Sequence, residues 1–386
     1  MSETLPSAFT QPPSRAHTAS LKWDKYAGQD ILPLWVADMD FAAPPEVLAA
    51  LAARLQHGVL GYTNPPASLV EAVQDYAARV YRWQIEADWL VWLPGLVQGL
   101  NLACRAVGQA GDAVLTMTPV YPPFLRAPGL AQRELITVPL QQVAGRWQFD
   151  FAALTAAITP HTRLLLLCHP HNPVGRAWQR DELDTLLGIA RQHNLIVCSD
   201  EIHCDLLLDE GLQHQPFAAL SADFAPRTIT LLAPSKTWNI PGLGCALAVI
   251  PDPALRARFR REMAGLVPSV NVLGYLGAEA AYRADGGWHA QLLHTLRQNR
   301  DALAALFARY PTSGLKLTVP EATYLAWIDA RAIDPRQPLP VFEAYGLGLS
   351  DGADFGFPGW VRLNFGCSPT TLALALQRLE GLLQQY

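Results

Sequence analysis

Three things are missing from this chain of 386 residues. No continuous apolar run approaches the roughly 20 residues that a membrane-spanning helix needs, so no span is expected. Its six cysteines form no Cys-x-x-Cys pair and no Cys/His spacing suited to a metal. Cys168, Cys198 and Cys245 instead sit inside apolar runs, where a free thiol packs as a small hydrophobe. That usage fits a reducing, cytoplasmic setting. Nor is there a basic excess: 29 Lys and Arg stand against 34 Asp and Glu, a formal charge of −5, which argues against a nucleic-acid partner. The densest basic group, Arg256-Ala257-Arg258-Phe259-Arg260-Arg261, reads as the solvated face of a helix. Residues 1–23 hold Pro6, Pro12 and Pro13 but no apolar segment, so no secretory signal is expected there.

Half of the residues are hydrophobic, enough for a large core, and the length has room for two to three domains. The first forty or so residues read as an irregular, extended arm packing on another surface. Pro44-Pro45-Glu46 opens a helical pattern, and a second helix is expected from Ser68 to Trp83, with Ser68 as cap and Glu71 at capping-box spacing. From Trp89 to about Ile250, short apolar runs alternate with helical stretches, the pattern of a mainly parallel sheet covered on both faces. Cys245–Ile250 is the run that can pair antiparallel. A long amphipathic stretch from Trp288 to Tyr310 leads toward strands at Thr323–Ile328 and Trp360–Phe365. We expect an arm that is also part of the small domain over 1–45, a large α/β domain over 46–286 and a smaller α+β domain over 287–386.

Three polar clusters each follow an apolar run. Leu164–Cys168 leads to Asn172-Pro173-Val174-Gly175-Arg176, Leu195–Cys198 to Ser199-Asp200-Glu201-Ile202-His203, and Thr228–Leu232 to Ala233-Pro234-Ser235-Lys236-Thr237. If these runs are neighbouring parallel strands, all three clusters emerge on the sheet edge where α/β proteins bind ligands. An Asn, an Asp and a Lys converging there suit pyridoxal phosphate. The Lys would hold the cofactor covalently, the carboxylate would keep the ring nitrogen protonated, and the amide would bond the ring hydroxyl. Backbone N–H groups of Gly95, Leu96 and Val97, at a helix start after a strand, are placed to bind a phosphate. The Ser235 hydroxyl can add to them.

In that order and spacing, Asn172-Pro173-x-Gly175, Asp200 and Ser235-Lys236 resemble the fold-type I, class I/II aminotransferase superfamily. Further segments resemble its MalY/PatB-type cystathionine β-lyases: Pro33–Phe41, His57–Tyr62, Ser199–His203, Ser235–Leu243, Glu321–Leu325 and Arg362–Gly366. The resemblance implies the fold-type I PLP-dependent transferase fold and a homodimer with shared active sites. It implies that Lys236 takes the substrate Cα proton, that Arg362 grips the α-carboxylate beside Asn172 and Ala37, and that Tyr121 stacks on the cofactor ring. His203 would lie near the ring oxygen, and Tyr62 would reach the phosphate of the neighbouring subunit. One departure stands out, since Gly244 occupies the place where many aminotransferases have a phosphate-clamping arginine. The implied reaction is α,β-elimination from an L-cysteine S-conjugate such as cystathionine, with an L-amino-acid aminotransferase as the alternative.

Overall fold

The computed structural model describes residues 7–386; Pro6 and the rest of 1–6, the start of the expected arm, lie outside the described residues. The larger sheet contains β1 (Leu90–Leu93), β2 (Ala113–Thr118), β3 (Glu134–Pro139), β4 (Thr162–Cys168), β5 (Ile196–Asp200), β6 (Thr228–Leu232) and β7 (Ala246–Val249). Their order is β1-β7-β6-β5-β4-β2-β3. β7 runs antiparallel to both neighbours, and the remaining pairs are parallel.

β4 shows why apolar runs without alternation become the centre of such a sheet. Leu164 and Leu166 face one core, with Leu100 and Phe259. Leu165 and Leu167 face the other, with Leu183 and Leu186. Because side chains alternate along a strand, a segment buried on both faces must be apolar at every position. Helices Leu96–Ala106 and Pro253–Met263 cover the first face, and Arg180–Gln192 covers the second.

Helix Gly287–Arg309 leads to a smaller antiparallel sheet of β8 (Lys316–Thr318), β9 (Leu325–Asp329), β10 (Ser350–Asp351) and β11 (Trp360–Asn364), ordered β8-β9-β11-β10. The final helix, Pro369–Gln385, starts under a Ser368 cap whose Oγ accepts the Thr371 N–H at 3.2 Å.

Three expectations need correction. The N-terminal arm is less irregular than expected: it contains helices Ser7–Thr10 and Leu21–Asp24, and Leu32–Pro33 pairs in parallel with Leu347–Gly348. It is clasped by charge, because buried Lys22 meets Asp40 at 3.0 Å while Arg15 reaches Asp38 at 2.7 Å and Asp40 at 3.1 Å. Ser68 is not a cap. The helix begins at Ala67 behind Pro66, and the Ser68 hydroxyl donates to Glu279 on helix Val272–Arg283 at 3.0 Å, a better acceptor than its own backbone offers. Finally, Arg258, Arg260 and Arg261 are exposed on their helix as expected, but Arg256 is buried, since its guanidinium donates to the Ile250 and Pro251 carbonyls and pairs with Asp88 at 2.7 Å.

Candidate active site

β4, β5 and β6 are adjacent and parallel, with Cys168 opposite Asp200 and Asp200 opposite Leu231. The segments after them therefore share one edge. A cavity of about 400 Å³ opens there, closed from above by Trp35–Ala37 and by residues of the smaller sheet. It brings together Lys236, Asp200, Asn172, His203, Tyr121, Ser235, Gly95, Leu96, Val97, Ala37 and Arg362.

Lys236 is partly buried, and its ammonium donates to the Ala37 carbonyl. Burial lowers its pKa to about 8, with Asp38 and Asp200 pulling the other way and Arg362 adding to the fall. A lysine in this state offers a sizeable fraction of neutral amine near physiological pH, as a nucleophile or base requires.

Asp200 is buried, and the one hydrogen bond to its carboxylate among the described residues is from the Ile202 N–H at 3.2 Å. Burial raises its pKa to about 7; adjacent Glu201 adds to the rise, while Ile202 N–H and Lys236 oppose it. A buried carboxylate so poorly matched is a place for a cationic N–H.

Arg362, on β11, is its opposite. The guanidinium is buried, donates to Asn172 Oδ1 (3.0 Å), the Trp35 carbonyl (2.9 Å) and Ser350 Oγ (3.3 Å), and lies 4.8 Å over the Phe355 ring. Its Nε has no partner, and no carboxylate pairs with it among the described residues. Burial lowers its pKa to about 10, which leaves it cationic at neutral pH. Because Asn172 gives its oxygen to Arg362, its amide N–H₂ remains free to donate. His203 is buried with Nδ1 unpartnered, and burial, with Lys236 and Arg362, lowers its pKa to about 3, so the ring is neutral.

At the other end, Gly95 precedes helix Leu96–Ala106 in an extended conformation, and no side chain caps the helix. Its first N–H groups are thus available to an anion. A Cβ on Gly95 would stand 2.8 Å from Gln98 Oε1. The arginine absent from position 244 has a structural counterpart: Gly244 has φ +62° and closes a turn beside the Pro94 carbonyl, a backbone that an arginine would occupy under strain. Tyr121 caps helix Pro122–Leu130, and its N–H donates to the Asn172 carbonyl at 3.1 Å.

Tyr62 is not brought to this cavity within its own chain. It is fully exposed and lines a separate groove with residues 268–273. The sequence also failed to flag Ser350, Phe355 and the Trp35 carbonyl, which hold Arg362 in place. Trp35 lies in a segment that carries the resemblance, but Ser350 and Phe355 belong to no motif.

These residues fit pyridoxal phosphate. An amine shares the cavity with a buried carboxylate that has a single N–H partner, and a free amide, a neutral imidazole and uncapped helix N–H groups line the same space. The family model for aminotransferase class I and II matches residues 29–379. Cystathionine beta-lyase PatB of Bacillus subtilis (strain 168) is 36% identical, the alignment covering 97% of this chain and 99% of that protein. The crystal structure of OvoB matches with a TM-score of 0.95 at 46% identity, covering 98% of this chain and 99% of that one. Cystalysin from Treponema denticola, whose crystal structure contains pyridoxal 5'-phosphate, matches with a TM-score of 0.92 at 33% identity, over 98% of each chain.

Proposed function

This chain belongs to the aminotransferase class I and II family of pyridoxal 5'-phosphate enzymes, in the group that includes PatB, and from that premise we propose that it is a carbon–sulfur β-lyase. Its substrates are L-cysteine S-conjugates such as cystathionine, and its products are a thiol, pyruvate and ammonium. The observation that carries this reading is one cavity holding a lysine lowered to about 8, a buried carboxylate with no cationic hydrogen-bond partner and a buried guanidinium without an acid. The 36% identity to a cystathionine β-lyase supports the lyase branch.

When bound, pyridoxal phosphate would supply an electron sink conjugated with the substrate Cα through the amine nitrogen. Asp200 would keep a proton on the ring nitrogen and so keep that sink strong. Asn172 and His203 would hydrogen-bond the ring oxygen, Tyr121 would cover the ring, and Ser235 with the Gly95–Val97 backbone would hold the phosphate. Arg362 would grip the α-carboxylate bidentately. Ala37 borders the same space. Lys236 would anchor the cofactor and, as a free amine, take the proton from Cα. The Cβ–S bond then breaks, the thiolate leaves and takes up a proton, and the three-carbon remainder adds water to give pyruvate and ammonium. A homodimer in the cytoplasm, with Tyr62 completing the neighbour's phosphate site, belongs to the same reading. The same reading divides the chain into an N-terminal arm with part of the small domain over 1–45, a large cofactor-binding domain over 46–286 and a small domain over 287–386.

The test is direct. Purified holoenzyme should release pyruvate and thiol in equal amounts from cysteine conjugates with no 2-oxo acid added. Strict dependence on a 2-oxo acid acceptor, with no thiol released, would establish an aminotransferase instead.

A further inference from the structure

Four formally charged side chains line the cavity: Asp200, Lys236, Arg362 and Asp354. The proposed reaction uses three. Asp354 is left over, exposed, and without a hydrogen bond or ion pair to any described residue.

Its position is nonetheless fixed. Asp354 belongs to the one-turn helix Gly352–Phe355, which Asp351 caps by accepting the Ala353 N–H at 2.9 Å. The next residue, Phe355, is buried beneath the Arg362 guanidinium, and its carbonyl accepts the Val120 N–H at 3.1 Å. Asp354 is thus one residue along a pinned turn from the ring that lies against the Arg362 guanidinium. A substrate held at its carboxylate by buried Arg362, and at Cα by Lys236, directs its sulfur substituent away from both. The way out is the open rim, where Asp354 is exposed.

Resting on the lyase reading above, we infer that Asp354 is a specificity-determining residue that favours conjugates whose leaving group carries a positive charge. The chemistry recognised is an ammonium or protonated nitrogen base a few bonds beyond sulfur. An exposed cation outside the cavity lining is Arg126 on helix Pro122–Leu130, which begins at the cavity. If Arg126 neutralised the carboxylate, no charge preference would survive. A water-exposed ion pair at such a rim changes selectivity by about two- to fivefold, and added salt weakens it.

The experiment uses holoenzyme and three conjugates of similar length: S-(2-aminoethyl)-, S-propyl- and S-(2-carboxyethyl)-L-cysteine. The ratio of kcat/KM for the aminoethyl over the propyl compound should fall about two- to fivefold in Asp354→Asn. Asp354→Lys should shift preference toward the carboxyethyl compound, and the wild-type ratio should shrink in high salt. An unchanged ratio in both variants overturns the inference. The same ratio read as dissociation constants, from cofactor absorbance, decides the matter even if no pyruvate forms. Absence of pyruvate would sink the lyase reading alone.

Discussion

Lys236 and Asp200 each sit in a protonation balance that burial has moved, in opposite directions. The lysine falls to about 8. Only its neutral amine can attack the cofactor aldehyde, so uptake of pyridoxal phosphate by cofactor-free protein should quicken as pH rises toward 8 and level off above it. Stopped-flow absorbance would show this, and a rate already flat from pH 6 would refute it. Asp200 rises to about 7. The folded chain then binds that proton more tightly than the unfolded chain does. Its contribution to stability is complete below the ordinary carboxyl range and is lost as pH climbs through about 7. Cofactor-free Asp200→Asn should therefore melt several degrees above wild type at pH 8 and match it near pH 4, while holding pyridoxal phosphate less tightly. Glu201, raised to about 7 by burial beside Ser199 and His214, titrates in both proteins, so the comparison must be made at each pH. A variant no more stable at pH 8 would show that Asp200 is not strained by its site. These residues were legible because each follows a continuous apolar strand and carries a side chain whose chemistry has few other uses there. Ser350 and Phe355 were not. One acts through an ordinary hydroxyl and the other by packing under a guanidinium, and neither leaves a mark in one sequence.

At the scale of elements, the apolar strands could be read, the edge strand β1 among them, and the opposite edge could not. β4 is apolar on both faces and announces itself, but edge strand β3 is Glu134-Leu135-Ile136-Thr137-Val138-Pro139, half open to water and without a continuous run. Edges have only one neighbour to satisfy, so their sequences are under weaker constraint. The arm's attachment was hidden because it comes from four separated charges, Arg15, Lys22, Asp38 and Asp40, which meet only in the folded chain. Lys22 is fully buried, and Asp40 also accepts from Trp23 Nε1 at 3.0 Å. Removing one partner of a buried pair costs about 3–5 kcal/mol. Since Arg15 remains to share Asp40, Lys22→Met should lose about 3 kcal/mol in urea unfolding. The surface pair Arg180–Asp184 is the control, its side chains about half exposed, and Arg180→Ala should cost no more than about 0.5 kcal/mol. Because Asp38 adjoins Ala37, whose carbonyl accepts from both Lys236 and Tyr324, loosening the clasp should also raise KM. Equal losses in the two variants would mean the clasp is merely a surface contact.

Over the whole molecule, one function is unprovided for within the chain. The phosphate of the cofactor carries nearly two negative charges, yet its end of the cavity offers helix N–H groups and Ser235, with a glycine at 244 where an arginine would be strained. Tyr62 is suited to help, but it projects fully exposed from its own chain, beside exposed Val59 and Leu60. An apolar loop so presented is expected to be covered, and a second copy arranged about a two-fold axis would place each Tyr62 against the other's site. The sequence could mark Tyr62 by resemblance, but no sequence states which chain's cavity a side chain enters. Mixing decides it. Tyr62→Ala retains Lys236, and Lys236→Ala retains Tyr62, so each variant alone should be nearly inactive. Unfolded together in equal amounts and refolded with cofactor, they would form mixed dimers in which one of the two sites has both residues. Activity should then return to about a quarter of wild type, with refolding of each variant by itself as the baseline. If the mixture stays at that baseline while sedimentation shows dimers formed, Tyr62 serves its own chain or none, and the phosphate must be held by the N–H groups and Ser235 unaided.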